Sequence, residues 1–287
     1  MRWSGGRRSK NIVDRRGSGR SRSLAGGGIG TIVIILVAMY FGVDPNFLIE
    51  GLQTASVPSS ASGTRPDAAD LANDPMADMI SVVVADTEDV WSGIFAGINR
   101  RYEEPRLVIF DGFTQSACGT GQAAMGPFYC PADKNAYIDL SFYRDLQDRF
   151  NAPGDFAQAY VIAHEIGHHV QNLLGISSEV QRLRQQLDQT EANQMSVRLE
   201  LQADCFAGVW ANHADRGSNI ALEEGDIEEA LNAASAIGDD RLQQQSQGRV
   251  APDSFTHGSS AQRVRWFRIG FSTGNPDRCD TFSSENL

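Results

Sequence analysis

His164-Glu165-Ile166-Gly167-His168-His169 is the run of residues from which the rest of this chain can be read. In a helix His164 and His168 are four apart, so their imidazoles leave one face on adjacent turns. That geometry can hold one zinc ion on two nitrogens, with Glu165 placed to reach a water in the metal's open position. Each residue type is required by the chemistry. Histidine binds as the neutral ring, and zinc lowers the pKa of a bound water from about 15.7 towards 7. Glutamate can then accept the proton as the water attacks a carbonyl. His169 falls off the His164/His168 face and reads as a supporting or structural residue.

The surroundings predict a helix. Pro153-Gly154-Asp155 is a turn, and Asp155 with Gln158 has the spacing of a capping box. Phe156, Tyr160, Ala163, Gly167, Val170 and Leu174 then recur at steps of four and three, which is one buried stripe, and Gly175 ends it. A catalytic zinc usually takes three protein ligands. The best third candidate lies in the helical, largely apolar stretch from Val197 to Trp210. Glu200 and Asp204 share a face there, and two carboxylates in such a helix are costly unless paired or bound to metal. Glu200 is read as the third ligand. Asp204, one turn on, is read as the acceptor that orients a ligand histidine. Glu191 and His213 are weaker candidates because their neighbourhoods are polar.

Residues 2–22 carry eight Arg or Lys against a single acid, Asp14. Leu24 to Val43 follows without a charge, 20 residues or about 30 Å of helix, enough to span a hydrocarbon core. Basic residues stay in the cytoplasm, so the expectation is a basic cytoplasmic segment 1–23, an anchor 24–43, a flexible linker 44–75 and an extracytoplasmic domain 76–287. A cleaved signal peptide is the rival, but no small-x-small site follows the apolar run. The formal net charge is −11; the first 28 residues hold +7 of it, which leaves −18 on the remainder. So acidic a remainder argues against a nucleic-acid partner.

Cys118, Cys130, Cys205 and Cys279 would all lie where disulfides form, and four cysteines allow three connectivities. A local Cys118–Cys130 pair would staple a Gly-rich loop ahead of the zinc helix, and Cys205–Cys279 would tie the ligand helix to the C-terminal tail. Neither pair has the close C-x-x-C spacing of a thiolate metal site. Elsewhere, Ser81 to Arg101 and Phe142 to Phe150 read as helices, Leu107–Phe110 and Tyr137–Leu140 as strands. Asp226 with Glu229 reads as a further capping box that starts a helix reaching Ile237, and Ser259 and Gln262 suggest a last helix, Ala261 to Gly270. His257, in the loop before the last helix, is a candidate donor to the oxyanion of an acyl-transfer reaction. Asp239 and Asp240 would either orient it or cap a helix.

H-E-x-x-H followed by a helical E-x-x-x-D resembles the gluzincin arrangement of thermolysin-like peptidases. With Cys118-Gly119, Gly126-Pro127-Phe128-Tyr129-Cys130-Pro131, Gly154 to Gly175, Leu199 to Gly208, Gly238-Asp239-Asp240 and Phe255-Thr256-His257-Gly258, the chain is more closely similar to a bacterial family of neutral zinc metallopeptidases. The resemblance covers residues 76–287. It implies an α+β, zincin-like domain, mainly helical with a small sheet, one zinc per chain, and a membrane-tethered peptidase acting on peptide or protein substrates. In zincins an edge strand ahead of the zinc helix binds the substrate backbone; Phe128 to Cys130 or Tyr137 to Leu140 would be that strand. A membrane-tethered scaffold with a structural zinc is the alternative from another class. It would need a fourth protein ligand and has no use for Glu165.

Overall fold

A computed structural model gives the structure of residues 1–17, 73–216 and 219–287. The expected anchor 24–43 and most of the linker lie outside the described residues, and among those described no helix is long and apolar enough to cross a membrane. The elements run β1 (Ile12–Asp14), α1 (Pro75–Gly97), β2 (Arg106–Phe110), β3 (Phe113–Ser116), β4 (Gly119–Gln122), β5 (Phe128–Cys130), β6 (Asn135–Asp139) and α2 (Ser141–Asp148). There follow α3 (Asp155–Leu174), α4 (Ile176–Arg184), α5 (Gln189–Ala214), α6 (Asp226–Ala236), α7 (Asp239–Gln247) and α8 (Ser260–Thr273). The architecture is α+β, mainly helical with a small sheet.

The four-stranded sheet has the order β1-β2-β6-β5. β1, β2 and β6 are parallel, and β5 joins β6 antiparallel. Successive side chains of a strand face opposite ways. Leu107 and Ile109 of β2, with Ala136 and Ile138 of β6, accordingly join the main core, whereas Val108, Phe110 and Tyr137 form a second cluster with Cys130 on the other face. Burial on both faces makes β2 a continuous apolar run. Of the two strands open to the substrate-strand role, β6 lies inside the sheet and β5 at its edge.

The helical layer is built around α3 and α5, with α6 and α8 packed against them. Glycines set how closely these helices approach. A Cβ on Gly167 of α3 would stand 2.9 Å from the Ala203 carbonyl oxygen of α5. Likewise a Cβ on Gly270 of α8 would stand 1.9 Å from the Cys205 carbonyl oxygen. Phe156 stacks on Trp210 and Trp91 meets Phe206 edge-on, filling the centre. Cys118–Cys130 links the β3–β4 turn to β5, and Cys205–Cys279 links α5 to the C-terminal turn.

Neither of two expected capping boxes forms, and one of the two helix starts takes a long-range partner instead. Gly154, not Asp155, is the N-cap of α3, and the Phe156 N–H is satisfied by the Glu229 carboxylate of α6 at 3.0 Å. Gly225 likewise caps α6 while Asp226 accepts from the Glu223 N–H. The helices start side by side, so the acid of one serves the other. The last expected helix is present as Ser260–Thr273, and Ser259 and Gln262 form a capping box at its start.

The larger departure concerns residues 1–16, which pack with the domain as one unit instead of standing apart as a basic segment. β1 pairs with β2 from Ile12↔Leu107 to Asp14↔Ile109. Arg8 makes a two-point bond to Asp78 at 2.7 and 2.9 Å, and Arg7 pairs with Glu88 at 3.0 Å and Asp89 at 2.7 Å. The domain boundary expected at 76 therefore leaves out a strand. Its acidic partners on α1 lie some 70 to 80 residues away in sequence, where no local pattern announces them.

Candidate metal centre

His164 and His168 project from α3 towards Glu200 of α5. His164 Nε2 is 3.1 Å from one Glu200 oxygen and His168 Nε2 is 3.4 Å from the other. Their ligand atoms lie within 4.8 Å of one another, a separation one metal ion can bridge. The other ring nitrogens are engaged. His164 Nδ1 donates to Asp204 at 2.9 Å, and His168 Nδ1 donates to Gln171 Oε1 at 2.9 Å. Because carboxylate and carbonyl oxygens only accept, both rings carry their proton on Nδ1 and present Nε2. Two imidazoles so oriented and one carboxylate are the donor set zinc takes, and the residues fit the ion.

Asp204 is fully buried and saturated. It accepts from Tyr160 Oη at 2.5 Å, Arg263 Nε at 2.8 Å and Arg263 Nη2 at 2.9 Å, besides His164. Burial pushes its carboxyl up, but Arg263 and His164 outweigh that and hold it near a pKa of about 2. For His164 burial works towards the neutral ring, while Asp204 and Glu200 raise its pKa to about 10.

Glu165 is the exception. It is buried, lines the cleft beside His164, His168 and Glu200, and among the described residues accepts no hydrogen bond from the protein. Burial raises its pKa above the usual carboxylate value, against the pull of the two histidines. The cleft has a volume of about 730 Å³. β5 supplies Phe128 and Tyr129 to its lining, and Phe142, Phe150, Val161 and Leu199 add apolar surface.

His257 lies on the same cleft, half exposed, with Nδ1 3.4 Å from Asp239. That hydrogen-bonding contact raises its pKa. Asp239 also accepts the backbone N–H groups of Thr256, His257 and Gly258, at 2.7 to 3.0 Å. Asp240 does the same for Ser260. Both acids thus fix the His257 loop. His169 faces away from the ligand cluster. Its Nε2 donates to the Glu103 carbonyl at 2.6 Å and its Nδ1 accepts from Tyr129 Oη at 2.9 Å, which pins β5 to α3. Burial lowers its pKa to about 4. The weaker ligand candidates are elsewhere: Glu191 completes the capping box of α5 and His213 bonds the Gly274 carbonyl.

Three residues of the centre escaped the sequence reading. Gln171 sits three residues after His168 on the same helix, a spacing that was there to be read. Tyr160 lies four before His164 but was absorbed into the apolar stripe. Arg263 gave no local signal at all, since its carboxylate partner Asp204 is 59 residues away.

His164, His168 and Glu200 thus form a candidate metal centre carried by two helices. The family model described as "Putative neutral zinc metallopeptidase" matches residues 1–282, and the chain belongs to that family. An Escherichia coli protein, uncharacterized protein YpfJ, is 53% identical over 291 residues, covering 98% of this chain and 99% of its own length. A Mycobacterium tuberculosis protein, uncharacterized protein Rv2575, is 45% identical over 207 residues, 69% of this chain and 68% of its own. No solved structure matches.

Proposed function

We propose that the chain is a zinc-dependent peptidase that hydrolyses peptide bonds outside the cytoplasm. The observation that carries this reading is Glu165: a buried carboxylate with no donor from the protein among the described residues, beside a three-residue donor set whose two histidines are both held from behind. Zinc held by His164, His168 and Glu200 would polarise the scissile carbonyl and acidify a water beside it. Glu165 takes the proton of the attacking water and returns it to the leaving amine. Its raised pKa suits both halves of that task. His257, anchored through Asp239, donates to the oxygen on which negative charge develops. The open edge of β5, at the cleft, is the place where a substrate strand would add in extended form. Three parallel strands with an antiparallel edge ahead of the metal helix support a zincin-type arrangement. Two disulfides support an oxidising compartment.

Only three His, Cys, Asp or Glu side chains converge at this centre among the described residues. A structural zinc would want a fourth. The test is cleavage of an unstructured peptide library by the full chain, wild type against Glu165→Gln, with zinc counted in both. Cleavage by the wild type alone is expected. Equal absence of cleavage in two zinc-loaded proteins would overturn the peptidase reading in favour of a binding protein.

A further inference from the structure

The basic N-terminal segment meets the rest of the chain at every level of structure. β1 adds a parallel strand to β2, with the Leu107 N–H bonded to the Asn11 carbonyl at 2.9 Å and the Arg15 N–H to the Ile109 carbonyl at 2.8 Å. Ile12 is 1% exposed, within the main core. Glu88 of α1, 2% exposed, receives its donors from this segment: Ser9 Oγ at 2.5 Å, Asn11 Nδ2 at 2.9 Å and Arg7 Nη2 at 3.0 Å. Without residues 7–11 it would be a buried charge deprived of those partners. Finally Arg16, the last residue of the segment's unit, pairs with Asp74, the N-cap of α1, at 2.5 Å.

That last contact constrains the path of the chain. The residues flanking the apolar run, Arg16 before it and Asp74 after it, are side by side. A chain that crossed a bilayer once between them would leave them about 30 Å apart on opposite faces. A second crossing would need another apolar run of some 20 residues. Residues 44–73 offer none, being interrupted by Asp44, Glu50, Arg65, Asp67 and Asp70. The arginines also bear on this. Arg7, Arg8 and Arg16 are engaged with carboxylates of the domain and are not free to act as a cytoplasmic orientation signal.

We infer that residues 1–16 and 73–287 lie on the same side of any membrane the chain meets. The basic segment then shares a compartment with the metal centre and is part of that domain. This replaces the single-pass arrangement expected from charge and hydropathy, and it is independent of whether the centre cleaves peptides.

The test uses the full chain in spheroplasts. Lys10 and Gln245 are exposed, and among the described residues no cysteine is free, so Lys10→Cys and Gln245→Cys each offer one label site to a membrane-impermeant maleimide. Both are expected to label to the same extent before lysis. Labelling of both only after lysis would still support a shared side while moving the domain to the cytoplasm. If Gln245→Cys labels before lysis and Lys10→Cys only after it, the inference is overturned. A charge-swap cycle checks the docking itself in the same chain: Arg8→Glu should lower the unfolding temperature and Asp78→Arg added to it should recover most of the loss. No recovery would contradict the docked segment.

Discussion

Glu88 and Glu165 are both carboxylates buried on long helices, 2% and 8% exposed, yet they are treated in opposite ways. Glu88 collects donors from Arg7, Ser9 and Asn11. Glu165 receives no protein donor among the described residues and faces a cleft. A buried acid with its partners is a structural joint. One that lacks a protein donor and opens on a cleft is placed to meet a ligand, and an acid with a perturbed pKa in such a place is a candidate for function. Under the proposed function, the contrast separates the part of the molecule that holds the fold from the part that acts.

The largest expected effect falls on the metal. Glu200→Ala removes one of the three proposed ligands and should weaken zinc binding by more than about 100-fold, measured by competition with a chromophoric chelator. Full zinc retention would mean that Glu200 is not a ligand. Next is removal of residues 2–16, which strips Glu88 of its donors and β2 of its neighbour. A loss of about 3–5 kcal/mol is expected in urea unfolding, the range for breaking a buried charge pair. An unchanged midpoint would reduce the segment to an appendage.

These two cases also mark what could be read from sequence. The helix bearing His164 and His168, its meeting with Glu200 and Asp204, and the helix opening at Ser259 were legible because each signal lies within one helix or one face. Asp155/Gln158 and Asp226/Glu229 carry the same local pattern, but Glu229 serves the Phe156 N–H of the neighbouring helix instead of its own, and Asp226 accepts from Glu223 just ahead of it. The basic N-terminus was read by its charge alone. Its partners Asp78 and Glu88 become visible only when the sheet brings β1 beside β2 and α1. Arg263 was hidden for the same reason.

His257→Ala is expected to lower kcat/KM by about 100-fold with zinc content intact, the scale of losing one oxyanion donor. Because Asp239 also holds the backbone of this loop, Asp239→Asn should lower both activity and stability, which distinguishes orientation from chemistry.

The smallest effect concerns pH. Asp86 is buried on α1, where it accepts from Trp210 Nε1 at 2.8 Å, and burial raises its pKa to about 6. Its folded pKa is above the unfolded one, so the native state holds the proton longer and stability falls as pH rises from about 4 to about 6. Above that the penalty is constant, about 1–3 kcal/mol. Asp86→Asn keeps an acceptor for Trp210 and should raise the unfolding temperature at pH 8 while leaving it nearly unchanged at pH 4. A gain at both would point to packing and not to ionisation.

The most direct measurement sets Glu165→Gln beside Glu88→Gln in the full, zinc-loaded chain, at a temperature where both are folded, and reads peptide hydrolysis and thermal unfolding on the same samples. Glu165→Gln should lose about 10²–10⁴-fold in turnover with an unfolding temperature equal to or above that of the wild type. Glu88→Gln should unfold earlier and turn over normally. If Glu165→Gln keeps its turnover, or if it is the less stable of the two, the division between the joint that holds and the group that acts is wrong.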